Sequence, residues 1–380
     1  MITRMDWGGS PDVLRIICQK LDPKVYDLRI FIGSTSHPTG KTKVFFNEFS
    51  RQISFVPELK RDICPWSDLK AFWKLFCFFK KERFDVVHTH TAKAGALGRL
   101  AAGFAGIPVI IHTPHGHNFY GYFNRFASWL VVLIERFLAQ FSSRIISLTR
   151  LEQEDYLRFK VASGRKSVLV YMGLELEKFR PEHPEKIRKS FNIISGNKVV
   201  GYIGRLDPIK GPQFFLQAAK LCLRKDPSLK FILIGEGKLR QELESKVSAW
   251  ELADKIIFAG WREDIPDILS VLDILVLPSL NEAVGIVLIE AQSLGVAIVA
   301  SEVGGIPEIV QSGRTGILVK PADPAALAQA INALFDDPAR LAGMSEAARI
   351  WVKDRFRAEN MVAETSAVYL EALKEKNVTF

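Results

Sequence analysis

The 380-residue sequence predicts two doubly wound, Rossmann-like α/β domains in tandem. Three observations carry this expectation. Apolar runs of strand length alternate with amphipathic stretches of helix length, which means a parallel sheet covered on both faces. The alternation runs through residues 1–172 and repeats after residue 173. The length is also about twice the usual ~100–200 residues per domain, and 48% hydrophobic residues suffice for full cores.

In chain order, the first half has helix-period stretches at 10–21, 66–82, 93–105, 123–141 and 150–160. Strand runs lie at 27–33, 85–89, 109–112, 144–148 and 167–171. A doubly wound domain normally opens with a full strand, yet only Met1 to Met5 precedes the glycine loop. The opening strand is therefore very short, or the chain begins inside it. Residues 173–197 are polar, contain Pro181 and Pro184 and form the expected link. The second half has strands at 198–203, 230–235, 255–259, 274–278, 296–300 and 316–319, with helices between them. The expected domains are 1–172 and 173–357. A last helix at 359–376, within 358–380, is free to return to the first domain.

Composition narrows the class. Charged residues are 24%, ordinary for a soluble chain. A disordered chain, a collagen-like repeat, a coiled coil and a small disulfide scaffold are excluded. Cys18, Cys64, Cys77 and Cys222 are scattered without a Cys-x-x-Cys pair and read as free buried thiols of a reducing compartment. No signal peptide is read at the start, and the apolar stretch 126–141 contains Glu135 and Arg136, too short for a spanning helix. The expected location is cytoplasmic, with a peripheral place on the inner face of the plasma membrane as an option. The net charge of +9 is uneven. Residues 1–172 hold 25 basic and 14 acidic side chains, so the surplus lies in the first half. Such a surface faces nucleic acid, an anionic membrane, a phosphate-bearing substrate or only solvent.

Three motifs in the second half sit at the carboxyl ends of strands, where open α/β sheets bind ligands. In Gly201-Tyr-Ile-Gly204-Arg205-Leu-Asp-Pro-Ile-Lys210-Gly211, two cations flank a loop that opens a helix at Pro212. Free N–H groups and the helix dipole add to their charge, giving a diphosphate site, or else two solvated loop charges. Glu282-Ala-Val-Gly285-Ile-Val-Leu-Ile-Glu290 follows the strand at 274–278. Its carboxylates are roughly 12 Å apart if the whole span is helical, which suits the two ends of a nucleotide sugar; the alternative is an exposed helix face. Gly304-Gly-Ile-Pro-Glu308 forms a tight loop at the same sheet edge, beside Gly235 and Gly237.

The first half offers Gly8 and Gly9 in the opening loop, where a backbone can approach a phosphate or sugar. His88, His90, His112, His115 and His117 cluster at two strand ends. His88 and His90 point to one side of a strand, but no carboxylate or thiolate completes a metal set. A polar wall, with His115 or His117 on a sugar, is the better reading.

Together, Gly-Arg-Leu-x-x-x-Lys-Gly, Glu-x7-Glu and Gly-Gly-Ile-Pro-Glu resemble the family 4 retaining glycosyltransferases of the GT-B fold, two Rossmann-like domains facing across a cleft. The resemblance extends to Gly8-Gly9, His115-Gly116, Gly235-Glu-Gly237 and the segment 172–179. It implies a hexosyltransferase using a nucleotide diphosphate sugar, with no other cofactor. Arg205 and Lys210 would neutralise the diphosphate as it leaves. Glu290 would bind ribose hydroxyls and Glu282 the transferred sugar or its phosphate. Gly8, Gly9 and Gly204 would lie against the phosphates, His115 would touch the sugar, and Gly235, Gly237, Trp261 and Gly285 would complete the donor site. His115, Glu282, Arg205 and Lys210 are thus the catalytic set.

No metal site is implied, and no Asp-x-Asp motif of a metal-chelating GT-A enzyme occurs. Where the family has Glu-Gly-Phe-Gly this chain has Glu282-Ala-Val-Gly285, and the Ala283 methyl narrows the donor pocket. The segments 85–99 and 113–122 are similar to bacterial enzymes of surface-polysaccharide assembly, which act on polyprenyl-diphosphate-linked sugars. That implies a lipid-linked or oligosaccharide acceptor, with Lys93, Arg99 and His117 on the acceptor side, and no nucleic acid. The aromatic and basic helix near 66–83 would lie on a membrane surface, or pack on the sheet through Leu69, Trp73 and Phe76. The alternatives are a sugar-nucleotide epimerase of the same fold, which needs a different acid–base set, and a non-catalytic scaffold.

Overall fold

The computed structural model describes residues 1–6, 8–36, 38–117, 119–120 and 124–378. Its chain divides into two compact units, Met1–Leu174 with Ala358–Phe380, and Glu175–Arg357.

In the first unit the elements run α1 (Gly9–Lys20), β1 (Ile30–Ile32), α2 (Gly40–Glu48), β2 (Ile53–Phe55), α3 (Pro65–Glu82), β3 (Val86–His90), α4 (Ala92–Ala105), β4 (Val109–Thr113), α5 (Arg125–Ala139), β5 (Arg144–Ser147), α6 (Arg150–Arg158) and β6 (Ser167–Leu169). Helix starts follow local chemistry: Thr39, Asn124 and Thr149 each accept an N–H from the first turn of α2, α5 and α6. Gly106 ends α4 in the left-handed region that a Cβ would strain.

The strands are all parallel. β1 pairs β2 with Ile30 opposite Ile53, and β3 to β6 form a second ladder with Val86 opposite Val109. The opening strand is represented by Ile2, which bridges Ile32 on one side and His90 on the other. Its N–H donates to the Phe31 carbonyl and its own carbonyl accepts from Gly33. One residue thus joins the two ladders, and the order reads β2, β1, Ile2, β3, β4, β5, β6. That places the strand-order reversal at Ile2, directly before the loop at Gly8.

The small-residue face of α4 lets it lie close on this sheet. A Cβ on Gly95 would stand 2.3 Å from the His112 ring, and one on Gly98 2.7 Å from Thr89. The carboxy-terminal helix Ala358–Glu375 belongs to this unit: Tyr369 reaches His88 at 2.6 Å and Ser366 reaches Tyr26 at 2.6 Å.

In the second unit the elements are α7 (Pro184–Ser190), β7 (Val199–Ile203), α8 (Pro212–Lys225), β8 (Lys230–Ile234), α9 (Arg240–Ala249), β9 (Ile256–Gly260), α10 (Ile265–Leu269), β10 (Ile274–Leu277), α11 (Ile286–Ser293), β11 (Ala297–Ser301), α12 (Ile306–Ile309), β12 (Gly316–Val319), α13 (Pro324–Asp336) and α14 (Pro338–Arg355). These strands form one parallel sheet ordered β12-β11-β10-β7-β8-β9. The central runs 199–203, 274–277 and 297–301 are buried throughout, as parallel strands covered on both faces must be. The core packs Val200, Tyr202, Phe231, Val276 and Val299 against Phe215, Leu216 and Ile331 of the helices. The order reverses between β7 and β10, and a crevice opens at such a point.

One element pair was missed, one expectation needs correction, and one falls outside the described residues. The pair α2 and β2 was not anticipated, because residues 40–55 lack a clean period. Cys64 and Cys77 are exposed, while Cys18 and Cys222 are buried. Phe123, where a helix was expected to begin, lies outside the described residues, as do Trp7, His37 and Asn118.

Candidate functional site

The second unit assembles its candidate site at the reversal between β7 and β10. The loop after β7 carries Arg205 and Lys210. Tyr202, buried at the end of β7, donates its hydroxyl to the Arg205 carbonyl at 2.8 Å and fixes the turn. Arg205 itself is exposed and pairs with Asp207 at 3.0 Å. Lys210 closes the 3-10 turn Pro208–Lys210. The loop after β10 is tied to it by the Leu280 N–H donating to the Ile209 carbonyl at 2.8 Å.

Across this junction Lys210 Nζ donates to Glu282 Oε2 at 2.6 Å, and Ser279 Oγ donates to the same oxygen at 3.2 Å. The side chains of Lys210 and Glu282 are 22% and 11% exposed, so the pair is shielded but reachable.

Glycines bring the neighbouring loops together. A Cβ on Gly235, whose φ is +134°, would stand 2.0 Å from the Gly204 carbonyl oxygen. Gly304, at φ +54°, packs so closely on the backbone of Glu282 that a Cβ would stand 1.8 Å from its oxygen. The next residue, Gly305, donates its N–H to that same oxygen at 3.1 Å. The Gly-Gly-Ile-Pro motif therefore holds Glu282 in place through its main chain.

α11 begins only at Ile286, after Gly285 in the left-handed region. The expected 12 Å helical rise between Glu282 and Glu290 does not apply, because half the span is loop. Glu290 is half-buried on α11, while Trp261 is 41% exposed after β9.

In the first unit the strand ends carry the histidines. His88 and His90 lie on one face of β3 with ring centroids 4.1 Å apart and ring planes tilted by 35°. His88 bonds Tyr369 through Nδ1 at 2.6 Å and Thr113 through Nε2 at 2.8 Å. His90 Nδ1 meets His115 Nε2 at 2.9 Å, and His115 takes a left-handed φ of 60°. Burial disfavours the charged ring in every case. His88, His90 and His112 are held well below the ordinary value of 6.5, and His115 is pushed down to about 3. The wall they build is neutral near pH 7. Among the described residues, no group of three His, Cys, Asp or Glu is placed to hold a metal ion. Gly8 precedes α1, and the space where its Cβ would stand is open.

Two residues that position this wall were not anticipated. Glu152 accepts the Gly116 N–H and the Leu148 N–H, each at 2.8 Å, and burial raises its carboxyl above the usual range. Thr149-x-x-Glu152 has the spacing of a capping box and signalled it. Asp155 bonds His117 Nε2 at 2.9 Å and also accepts from the Tyr120 hydroxyl. Burial opposes its ionisation, but these hydrogen bonds hold its carboxyl below the usual range.

The acceptor-side expectations change. Arg99 is fully buried; its guanidinium meets both Glu135 oxygens at 3.0 Å and its Nε donates to the Gly95 carbonyl. It braces α4 against α5, with its guanidinium out of reach of solvent. Lys93 is committed to Asp68 at 2.6 Å and to the Asp62 carbonyl. On α3 the packing residues are Ala71, Leu75 and Phe79, not Leu69 and Trp73, which are exposed. Among the described residues, no helix is long and apolar enough to cross a membrane.

The sequence matches two families: glycosyl transferase 4-like domain over residues 11–172 and glycosyl transferases group 1 over residues 184–351. It is 31% identical over 327 residues, covering 85% of this chain and 84% of the relative, to a UDP-Gal:α-D-GlcNAc-diphosphoundecaprenol α-1,3-galactosyltransferase of Escherichia coli. It is 26% identical to the capsular polysaccharide biosynthesis glycosyltransferase CapM of Staphylococcus aureus, covering 86% and 87% of the two chains. Among solved structures, that of Anabaena HepE in complex with UDP and glucose superposes with a TM-score of 0.82 at 21% identity, covering 97% of this chain and 99% of that one. A sucrose-phosphate synthase from Thermosynechococcus elongatus gives a TM-score of 0.78 at 21% identity, covering 97% and 94% of the two chains.

Proposed function

The chain belongs to the family 4 glycosyltransferases of the GT-B fold and is a hexosyltransferase by that membership, and from this premise we propose that it moves a hexose from a UDP-sugar to a polyprenyl-diphosphate-linked acceptor in surface-polysaccharide assembly. The observation that carries the proposal is the Lys210–Glu282 pair at the strand-order reversal of the second unit. It sets a cation for a diphosphate beside a carboxylate for sugar hydroxyls. The Escherichia coli relative, which uses UDP-galactose and a diphosphoundecaprenol acceptor, supports the donor base and the acceptor class.

In this reading Arg205 and Lys210 bind the diphosphate, assisted by the main chain near Gly204, Gly235 and Gly237. Glu290 holds the ribose, Glu282 the sugar, and Trp261 and Gly285 border the donor. Gly8, Gly9 and His115 are the first unit's own candidates for contact with phosphate and sugar. The sugar C1–O bond to the β-phosphate breaks while the acceptor oxygen bonds C1 on the same face. The acceptor proton passes to the departing phosphate oxygen, and configuration is retained. The charge that grows on that phosphate is met by Arg205 and Lys210, in place of a divalent ion. His115, neutral, offers a hydrogen bond and not a charge.

The test is thermal unfolding against UDP-, GDP- and ADP-sugars, followed by transfer to lipid-linked acceptors with and without EDTA. A UDP-specific shift, lost in Arg205→Ala, and EDTA-resistant transfer with retained configuration support the reading. No shift with any donor in folded protein would favour a scaffold, and an inverted product or EDTA-sensitive transfer would overturn the mechanism.

A further inference from the structure

A cavity of about 450 Å³ opens in the first unit beside α5. Its apolar wall is Phe119, Trp129, Val132 and Phe159, and Arg125 and Arg136 stand on its lining. Arg125, Trp129, Val132 and Arg136 follow one another at intervals of four, three and four residues, so they form one stripe along the helix. The two arginines stand roughly 16 Å apart along the axis at ~1.5 Å per residue. Arg136 is oriented by donating its Nε–H to the Phe159 carbonyl at 2.8 Å, whereas Arg125 is exposed at the start of α5.

The neighbouring stripe of α5 is apolar and open to solvent: Phe126 is 72% exposed and Phe137 52%, with Leu130 and Ile134 exposed between them. A 15-residue helix cannot span a bilayer, but an apolar stripe edged by cations suits the interface of an anionic one. The charged residues that line the cavity are both cations, Arg125 and Arg136 of α5. Glu135, on the same helix, is consumed by buried Arg99.

We propose that the cavity and the adjoining stripe of α5 take an anionic isoprenoid lipid, its hydrocarbon against Trp129 and Phe159 and its phosphate on Arg125. This rests on the lipid-linked acceptor proposed above and gives that acceptor its place on the chain. It adds a membrane-facing surface on α5 to the one the sequence suggested on α3, where Trp66, Leu69 and Trp73 are exposed.

The experiment is co-sedimentation of the full chain with phosphatidylcholine vesicles, either plain, carrying undecaprenyl phosphate, or carrying phosphatidylglycerol at equal charge. The chain binds the undecaprenyl phosphate vesicles in preference to both others. Trp129→Gln and Arg125→Gln each weaken that binding by at least about tenfold, while the UDP-induced thermal shift persists and shows the fold intact. Binding unchanged in both variants, or phosphatidylglycerol vesicles bound equally well, would overturn the inference. Transfer only to water-soluble acceptors, with vesicles still bound through Trp129, would overturn the acceptor reading and leave the lipid site. Transfer to a lipid-borne acceptor undiminished in Trp129→Gln would do the reverse.

Discussion

Replacing either member of the Lys210–Glu282 pair should move UDP affinity in opposite directions. The pair is 2.6 Å long and mostly shielded from water. Lys210 is the nearer cation to Glu282, and in the proposed complex it is shared with the diphosphate. Lys210→Ala removes a charge-assisted hydrogen bond, about 1.5–3 kcal/mol, which is a loss of roughly 10- to 150-fold in UDP affinity. Glu282→Gln keeps the shape and an acceptor for Lys210 and Ser279 but removes a negative charge. A unit charge about 4 Å from another is worth about 4 kcal/mol at an effective dielectric of ~20. Even a fraction of that repulsion, lifted, tightens UDP by a few-fold to tenfold. Sugar transfer should fall in both variants, because in the proposed complex Glu282 acts on the sugar and Lys210 on the leaving group. Titration calorimetry with UDP, alongside transfer assays, reads both numbers. Parallel weakening of UDP by the two substitutions would refute the division of roles, and so would a Lys210→Ala affinity within about twofold of wild type.

Three further outcomes follow from the geometry. Gly304→Ala places a methyl 1.8 Å from the Glu282 carbonyl oxygen at a φ of +54°; it should destabilise the second unit by more than about 1 kcal/mol in denaturant titration and weaken UDP-sugar binding. Arg99→Met strands Glu135 and should cost about 3–5 kcal/mol, toward the lower end because the Glu135 side chain is 12% exposed; adding Glu135→Leu should recover most of it. Stability of the first unit should fall with pH below 6.5. His88, His90, His112 and His115 have folded-state values lowered from 6.5, so below that pH the unfolded chain binds protons the native rings refuse. The melting temperature then drops between about pH 6.5 and 5. His115→Asn, which tolerates the left-handed backbone, makes that slope shallower; an unchanged slope would sink the explanation.

The fold was legible where strands are buried on both faces. Runs such as 199–203 and 274–277 are apolar without interruption, and short loops with Pro at helix starts separate them, so type and order were set by local signals. The opening strand was illegible because it is reduced to Ile2, whose two neighbours in the sheet, Ile32 and His90, are distant in sequence. The α2–β2 excursion escaped for a related reason. β2 pairs only with β1 and its residues are half-buried or exposed, so no periodicity marks it.

The site divides along the same line. Residues whose spacing is dictated by a strand end and a helix start, such as Arg205, Lys210 and Glu282, announce themselves as motifs. Residues that act by long-range pairing do not. Arg99 read as a free cation because nothing near it in sequence marks Glu135 as its partner; only the packing of α4 on α5 takes its charge out of water. Tyr369 lies 281 residues from His88, yet their 2.6 Å bond helps fix the ring that lies against His90 and, through it, His115. The consequence is an asymmetry of evidence. A motif alone does not tell a packing cation from a binding one, and here Arg99 is fully buried on Glu135 while Lys93 is paired with Asp68. Arg125 and Arg136 of α5 both stand exposed at the apolar cavity; Arg136 is turned to the Phe159 carbonyl, which leaves Arg125 as the cation proposed for the acceptor's phosphate.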